Sequence, residues 1–303
     1  MLFRSSGGKI SFKSKNVGII TIPLEKIARL ETHNATIIKF LDGRIVRVSG
    51  LDVTHAPFAL TTAEGIQTYA LTDIDVINPE EWLLGRGIHR TGRFSLSYNM
   101  ETGNTEKTEL DYDLAASLEN LKVRWRFQAY GEIDTESAEK TKDKYTVIFK
   151  SDRFRGGGAH IGVNALIEAD EFSELIRRDV IGAYYGKQWY TSAKVKFALD
   201  SGLAFVNEAR TDQRREQFPG ATWTLDIMTR LLGGSTETEL RQIGLWNLRD
   251  TSDVALYTLL TATYPITHRL GIVARLLFDY DSGVPQDIER LDRTFKLGLS
   301  YKW

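Results

Sequence analysis

From about residue 91 onward, apolar and polar positions alternate with a period of two. Phe94, Leu96, Tyr98 and Met100 alternate with Arg93, Ser95, Ser97 and Asn99. Leu110, Tyr112, Leu114 and Ala116 alternate with Glu109, Asp111 and Asp113. Leu121, Val123, Trp125 and Phe127 alternate with Lys122, Arg124, Arg126 and Gln128. Successive side chains of a strand point to opposite faces, so each run predicts a strand with one apolar and one polar face. The pattern returns at Tyr145, Val147 and Phe149, and again within 161–167, 195–199, 223–227, 254–260 and 270–278. It closes with Phe295, Leu297, Leu299, Tyr301 and Trp303. Residues 176–188 and 237–248 also read as strands, with their in-out parity undecided. Together these runs predict about twelve strands of roughly ten residues, long enough to cross a bilayer at about 45° tilt.

The connections alternate too. Counted from the first of these strands, the odd-numbered ones are mostly long and charged, at 132–143, 211–217 and 279–292. The even-numbered ones are mostly short, at 117–120, 232–236 and 265–268. Long loops at one end and short turns at the other suit an outer-membrane barrel. Residues 1–82 read differently, with shorter strands broken by Gly and Pro. Gly18-Ile-Ile-Thr-Ile-Pro-Leu-Glu-Lys-Ile27 matches Gly65-Ile-Gln-Thr-Tyr-Ala-Leu-Thr-Asp-Ile74, an internal repeat with an offset of 47. It fits a duplicated unit and equally fits two similar hairpins. Asp42-Gly43 predicts a hairpin turn between Ile37-Ile-Lys-Phe40 and Ile45-Val-Arg-Val48. The expected organisation is a small periplasmic β-domain at 1–82, a linker at 83–90 and a barrel at 91–303.

Alternation alone does not separate a soluble sandwich from a barrel in lipid, which turns its apolar face outward. Three features favour the all-β, about 12-stranded antiparallel transmembrane barrel. The polar face carries opposite charges on neighbouring strands: Glu109, Asp111 and Asp113 on one, Lys122, Arg124 and Arg126 on the next. These are expected to pair across the strands as a ladder that narrows the lumen. Aromatics crowd the strand ends, as a membrane-interface girdle requires. The closing strand ends on Tyr301-Lys-Trp303, an odd surface for a soluble protein and a natural rim for a barrel.

Composition narrows the class further. The 303 residues carry 39 Lys and Arg against 40 Asp and Glu, so no basic excess recruits nucleic acid. The absence of cysteine excludes disulfides, thiolate metal sites and a cysteine nucleophile. No run approaches the roughly 18 apolar residues of a membrane-spanning helix. The first residues lack an apolar signal core, so a leader is expected to have been removed or trimmed.

The closing residues resemble the signal that outer-membrane proteins present to the barrel-assembly machinery. Lys296, Gly298, Tyr301 and Trp303 stand at its polar, glycine and two aromatic positions, with Trp where many such proteins end in Phe. The chain as a whole resembles the salt-induced outer-membrane proteins of Gram-negative bacteria. The resemblance rests on Glu101-Thr-Gly-Asn-Thr-Glu-Lys-Thr108, Tyr130-Gly-Glu132, Asp152-Arg-Phe154, Asp170-Glu-Phe172, Gly182 with Gly186, and the closing 292–303. In the N-terminal region Ile22-Pro-Leu-Glu-Lys-Ile27 and Asp42-Gly43 resemble that family's periplasmic extension. The resemblance implies an outer-membrane location and a link to salt or osmotic response, and it implies no reaction.

Candidate chemistry is sparse. A barrel enzyme acting on lipid needs a nucleophile, a base and an orienting group on its lipid face. Of the five histidines, His33 and His55 fall in the N-terminal region, His89 in the linker and His268 in a short turn. His160 lies on a strand with the parity of the lumen. Gly156-Gly-Gly158 is followed by no helix that would make a phosphate cradle, and reads as a periplasmic turn. Asp279-Tyr-Asp-Ser-Gly283 lacks the bidentate Glu of a calcium loop. The expectation is a non-enzymatic protein without cofactor or metal, structural or a narrow channel. The alternative is a membrane-anchored scaffold whose periplasmic domain binds a protein partner or a second copy; a lipid-modifying barrel comes third. Expected partners are outer-membrane lipid, lipopolysaccharide and the barrel-assembly machinery.

Overall fold

The computed structural model describes residues 2–303 except 7–8, 15–17, 24–25, 41–43, 54–57, 63–64, 71–72, 103–105, 191–194, 212–214, 232–235, 268 and 285–288. The chain forms two compact units, residues 1–88 and 89–303.

The first unit contains β1 (Leu2–Ser6), β2 (Lys9–Ser14), β3 (Gly18–Pro23), β4 (Leu30–Thr32), β5 (Thr36–Phe40), β6 (Ile45–Val48), β7 (Leu51–Val53), β8 (Phe58–Thr62), β9 (Gly65–Tyr69) and β10 (Ile74–Ile77). Six of them form one sheet in the order β3-β2-β1-β10-β5-β6, while β4 pairs with β7 and β8 with β9. Its core is a conventional apolar one, built on Ile38, Phe40, Leu51, Val53, Ile74 and Ile77. The strands β5 and β6 pair as the sequence expects. The Asp42-Gly43 turn itself lies outside the described residues, as do Leu24 and Glu25 of the first repeat copy. Both repeat copies open a strand, β3 and β9, but β3 edges the six-stranded sheet and β9 forms a separate hairpin. The repeat is therefore not carried into equivalent pairings. A short 3-10 turn at Glu81–Leu84, ended by Gly85 in the left-handed region (φ 79°), occupies the stretch read as a linker.

The second unit is a closed barrel of twelve antiparallel strands, each paired with its sequence neighbours and the last with the first. They are β11 (His89–Glu101), β12 (Lys107–Glu119), β13 (Val123–Glu136), β14 (Glu139–Gly156), β15 (Ala159–Asp170), β16 (Leu175–Tyr190), β17 (Val195–Arg210), β18 (Glu216–Leu231), β19 (Thr236–Asn247), β20 (Val254–Pro265), β21 (Leu270–Asp281) and β22 (Leu291–Lys302). They run 12 to 18 residues, longer than the ten expected. The stretch 132–143 explains part of that: it is no long loop. β13 and β14 continue through it and turn on Ser137 and Ala138, both with left-handed φ (51° and 66°), the geometry of a two-residue hairpin. The opposite end of β14 turns on Gly157 and Gly158, also at positive φ (58° and 79°), where a side chain would be strained. The glycine run is thus a turn, as the sequence suggested. The connection 282–290 remains long.

The wall is inverted relative to the first unit. Phe295, Leu297 and Leu299 are 61%, 60% and 54% exposed, and Phe94, Leu96, Ile181, Leu203 and Phe205 are exposed with them. Each such side chain forgoes roughly 1.5–3 kcal/mol of burial if it faces water, so a belt of them makes sense only against lipid.

Candidate functional site

The lumen is where this chain concentrates its polar chemistry. Register fixes what points inward. Ser95 pairs with Asp113 and Ser300, and all three are buried. The undecided parities resolve from the same ladders. On β16 Arg178, Val180 and Tyr184 point inward and Ile181 and Tyr185 outward; on β19 Arg241 pairs with the lumenal Asp226.

The expected ladder between β12 and β13 does not form. Glu109 lies opposite Asp134, Asp111 opposite Glu132 and Asp113 opposite Tyr130, so like charges face each other there. Arg124 and Arg126 lie opposite Glu119 and Ser117 at the other end of the hairpin. Lys122 is not on the strand. It sits in the turn, where the Asn120 side chain accepts its backbone N–H at 2.8 Å. The cause is hairpin geometry: partners must be equidistant from the turn, and the two charge rows are not.

Each row instead finds partners elsewhere around the wall. Lys296 on β22 pairs with Asp111 and, at 2.8 Å, with Glu132. Asp113 meets Arg93 at 3.4 Å and Arg275 at 3.7 Å. Glu109 pairs with Lys107 at 2.6 Å. Arg124 and Arg126 hold Asp152 at 2.7 and 3.0 Å, and Arg126 reaches Asp200 at 3.3 Å. Lys150 binds the same Asp200 at 2.7 Å, and His160 Nε2 lies 2.8 Å from it. Tyr184 donates to Asp152. His160 is buried between Phe154 and Tyr184, so it belongs to this lumenal network.

Several contacts cross the lumen. Arg241 on β19 donates to Gln128 on β13, six strands away on the opposite wall, at 2.8 Å. Tyr130 and Tyr257 stack with ring centroids 5.0 Å apart. Toward the end carrying residues 282–290, Arg178 holds Glu208, Asp281 and Glu168 at 2.6, 3.0 and 3.1 Å, and Arg210 shares Asp281 at 2.8 Å. An apolar cluster of Val180, Ala204, Val206 and Phe218 also points inward. In the 248–253 turn, burial pushes the Asp253 carboxyl up, Asn247 opposes this with a hydrogen bond, and nearby Asp281 adds to it.

These contacts leave two chambers. One, at the end with the short turns, holds about 720 Å³. The other, at the loop end, holds about 110 Å³. Gln128 and Arg241 line the first and Tyr130 and Tyr257 the second, so the constriction runs between these two pairs. Among the described residues no set of His, Asp and Glu comes together to hold a metal ion.

The residues of the expected assembly signal occupy different faces. Lys296 is lumenal, and Tyr301 and Trp303 are exposed outside. Trp303 exchanges backbone hydrogen bonds with Gly92, at 3.1 and 3.3 Å, and so extends the β11–β22 seam by one pair. Its indole lies over Gly92, where a β-carbon would collide with the ring.

A closed barrel with an apolar exterior and an ion-paired lumen defines an integral membrane β-barrel protein. The chain belongs to the family described as protein of unknown function, DUF481, which matches residues 94–303. That match covers the barrel and not the first unit. No curated protein matches the chain. Among solved structures, it is similar to the NanC porin at 11% identity, over 70% of this chain and 100% of that one, with a TM-score of 0.44. It is similar to the KdgM porin at 11% identity, over 70% and 98%, with a TM-score of 0.38. It is also similar to the translocator domain of the autotransporter NalP from Neisseria meningitidis, at 10% identity over 71% and 88%, again at 0.38. Likeness at that level says nothing of this chain's solute or activity.

Proposed function

We propose that the protein is a bacterial outer-membrane barrel that forms a narrow conduit, constricted at mid-height by its own side chains. One observation carries the reading: the lumen is lined mostly by charged groups and narrowed by side-chain contacts from opposite walls, Gln128–Arg241 and Tyr130–Tyr257. A purely structural wall gains nothing from so many buried charges, because each costs several kcal/mol to desolvate and the pairing only offsets that. A path for small polar solutes needs them. The short turns are assigned to the periplasm and the 282–290 end to the cell exterior, following the usual asymmetry of such barrels. Lys296, Gly298, Tyr301 and Trp303 are proposed to be read during insertion by the assembly machinery. A role in salt or osmotic response would act through this conduit.

The test is conductance in planar bilayers. The wild type should give small ohmic steps. Tyr130→Ala combined with Tyr257→Ala should raise the step size several-fold by removing the stack. Silence from both proteins would reject the conduit and favour a barrel that only anchors the first unit.

A further inference from the structure

The two chambers differ in charge as well as size. Nine lysines and arginines line the larger chamber against four carboxylates. Adding Asp113 and Asp152, which pair with those arginines, still leaves nine against six. The smaller chamber is the reverse, with three cations against seven carboxylates, and adding Lys144 and Arg210, which pair with those carboxylates, still leaves five against seven. Ion pairing therefore does not neutralise the lumen locally. It leaves a basic vestibule at the turn end and an acidic one at the loop end.

The basic vestibule also holds donors without partners. Arg126 Nε and Ser95 Oγ are buried and make no hydrogen bond in the structure, and both residues line this chamber. Lys196, Arg230 and Lys302 stand at its rim, exposed or half-exposed. An arginine fork with a free N–H and a ring of cations is the chemistry that binds carboxylate or phosphate oxygens. Multivalent anions gain most, because each added charge meets the same excess at close range.

We propose that the turn-end vestibule is a binding site for small multivalent organic or inorganic oxyanions, seated on Arg126 and drawn in by Lys196, Arg230 and Lys302. The proposal deepens the conduit reading and rests on it for its role in transport, but the site exists whether or not the constriction opens. Binding follows the vestibule's charge, so it weakens as ionic strength rises.

The test uses folded full-length protein in detergent, with citrate and pyrophosphate as separate probes, followed by titration calorimetry at low ionic strength. Saturable binding of either anion is expected; citrate alone would mark the site as a carboxylate site and pyrophosphate alone as a phosphate site. Arg126→Gln should weaken binding at least tenfold. The rim triple Lys196→Gln, Arg230→Gln, Lys302→Gln should weaken it several-fold and, lying at the exposed rim, keeps the test valid if Arg126→Gln fails to fold. Arg177→Gln, a charge loss outside the lumen, should leave affinity unchanged. The proposal is overturned if neither probe binds saturably, or if Arg177→Gln weakens binding as much as the rim triple does. Conductance without anion binding would sink this site and spare the conduit. Binding without conductance would do the reverse.

Discussion

The two units of this chain use the same alternation to opposite ends. In β5, Thr36, Ile38 and Phe40 are buried and Ile37 and Lys39 lie on the other face, so the apolar side is the core. In β22, Phe295, Leu297 and Leu299 are exposed, and the one buried residue is Ser300, at 3% exposure. A period of two says that a strand has two faces and is silent on which faces water. What separates the units is strand length and the occupant of the second face. Strands of three to six residues cannot cross a bilayer, and strands of 12 or more with Arg, Asp and Lys on one face can.

The comparison can be broken by substitutions whose effects should invert between the units. The largest effect is expected at the lumenal Arg178. Arg178→Ala leaves Glu168, Glu208 and Asp281 around an empty site and should cost about 3–5 kcal/mol, read from urea unfolding in lipid vesicles. A loss near zero would mean that water, not the arginine, stabilises those carboxylates. Next comes the first unit. Ile38→Ala, at a fully buried position, should cost about 3 kcal/mol and open that unit to limited proteolysis while the barrel keeps its heat-modifiable mobility. A barrel that fails with it would show that the units do not fold separately. Third, Leu297→Arg should cost roughly 2 kcal/mol or more in a bilayer although Leu297 is 60% exposed. A neutral result would argue that this face does not meet hydrocarbon. The smallest effect is expected one residue from the largest. Arg177 lies on the outer face, half-exposed, paired with Asp179 at 2.8 Å. Arg177→Ala should change stability by at most about 1 kcal/mol, and a larger loss in the same urea assay would contradict its placement outside the lumen.

Much of this was legible in the sequence, and the misses are instructive. The strand runs and their apolar faces were readable wherever one face was consistently polar. Parity was lost at 176–188 because Val180 packs inward with Ala204, Val206 and Phe218 while Ile181 faces out, so both faces are apolar there. The β12–β13 ladder that the two charge rows suggest is excluded by the position of the turn. With Glu119 opposite Arg124, the carboxylates at 109–113 must meet residues 130–134. The cross-lumen contacts were not legible at all. Whether Arg241 reaches Gln128, or Lys296 reaches Glu132, depends on the tilt and stagger with which the barrel closes, and no local pattern encodes that.

The seam differs from every other joint in the barrel. Every other pairing in the barrel joins sequence neighbours, and each hairpin can form as soon as its two strands are present. The β11–β22 seam joins segments some two hundred residues apart. It runs only from Arg93 to Leu96 against Leu299 to Lys302, with Gly92 and Trp303 added, whereas β11 pairs with β12 along its whole length. Closure therefore carries the largest entropic cost in the barrel and has the fewest ladder bonds to offset it. A barrel lacking β22 would be left with two open edges, each a template for pairing with another chain. The circle can close only when β22 is present, so the finished barrel is a built-in check that every strand has arrived.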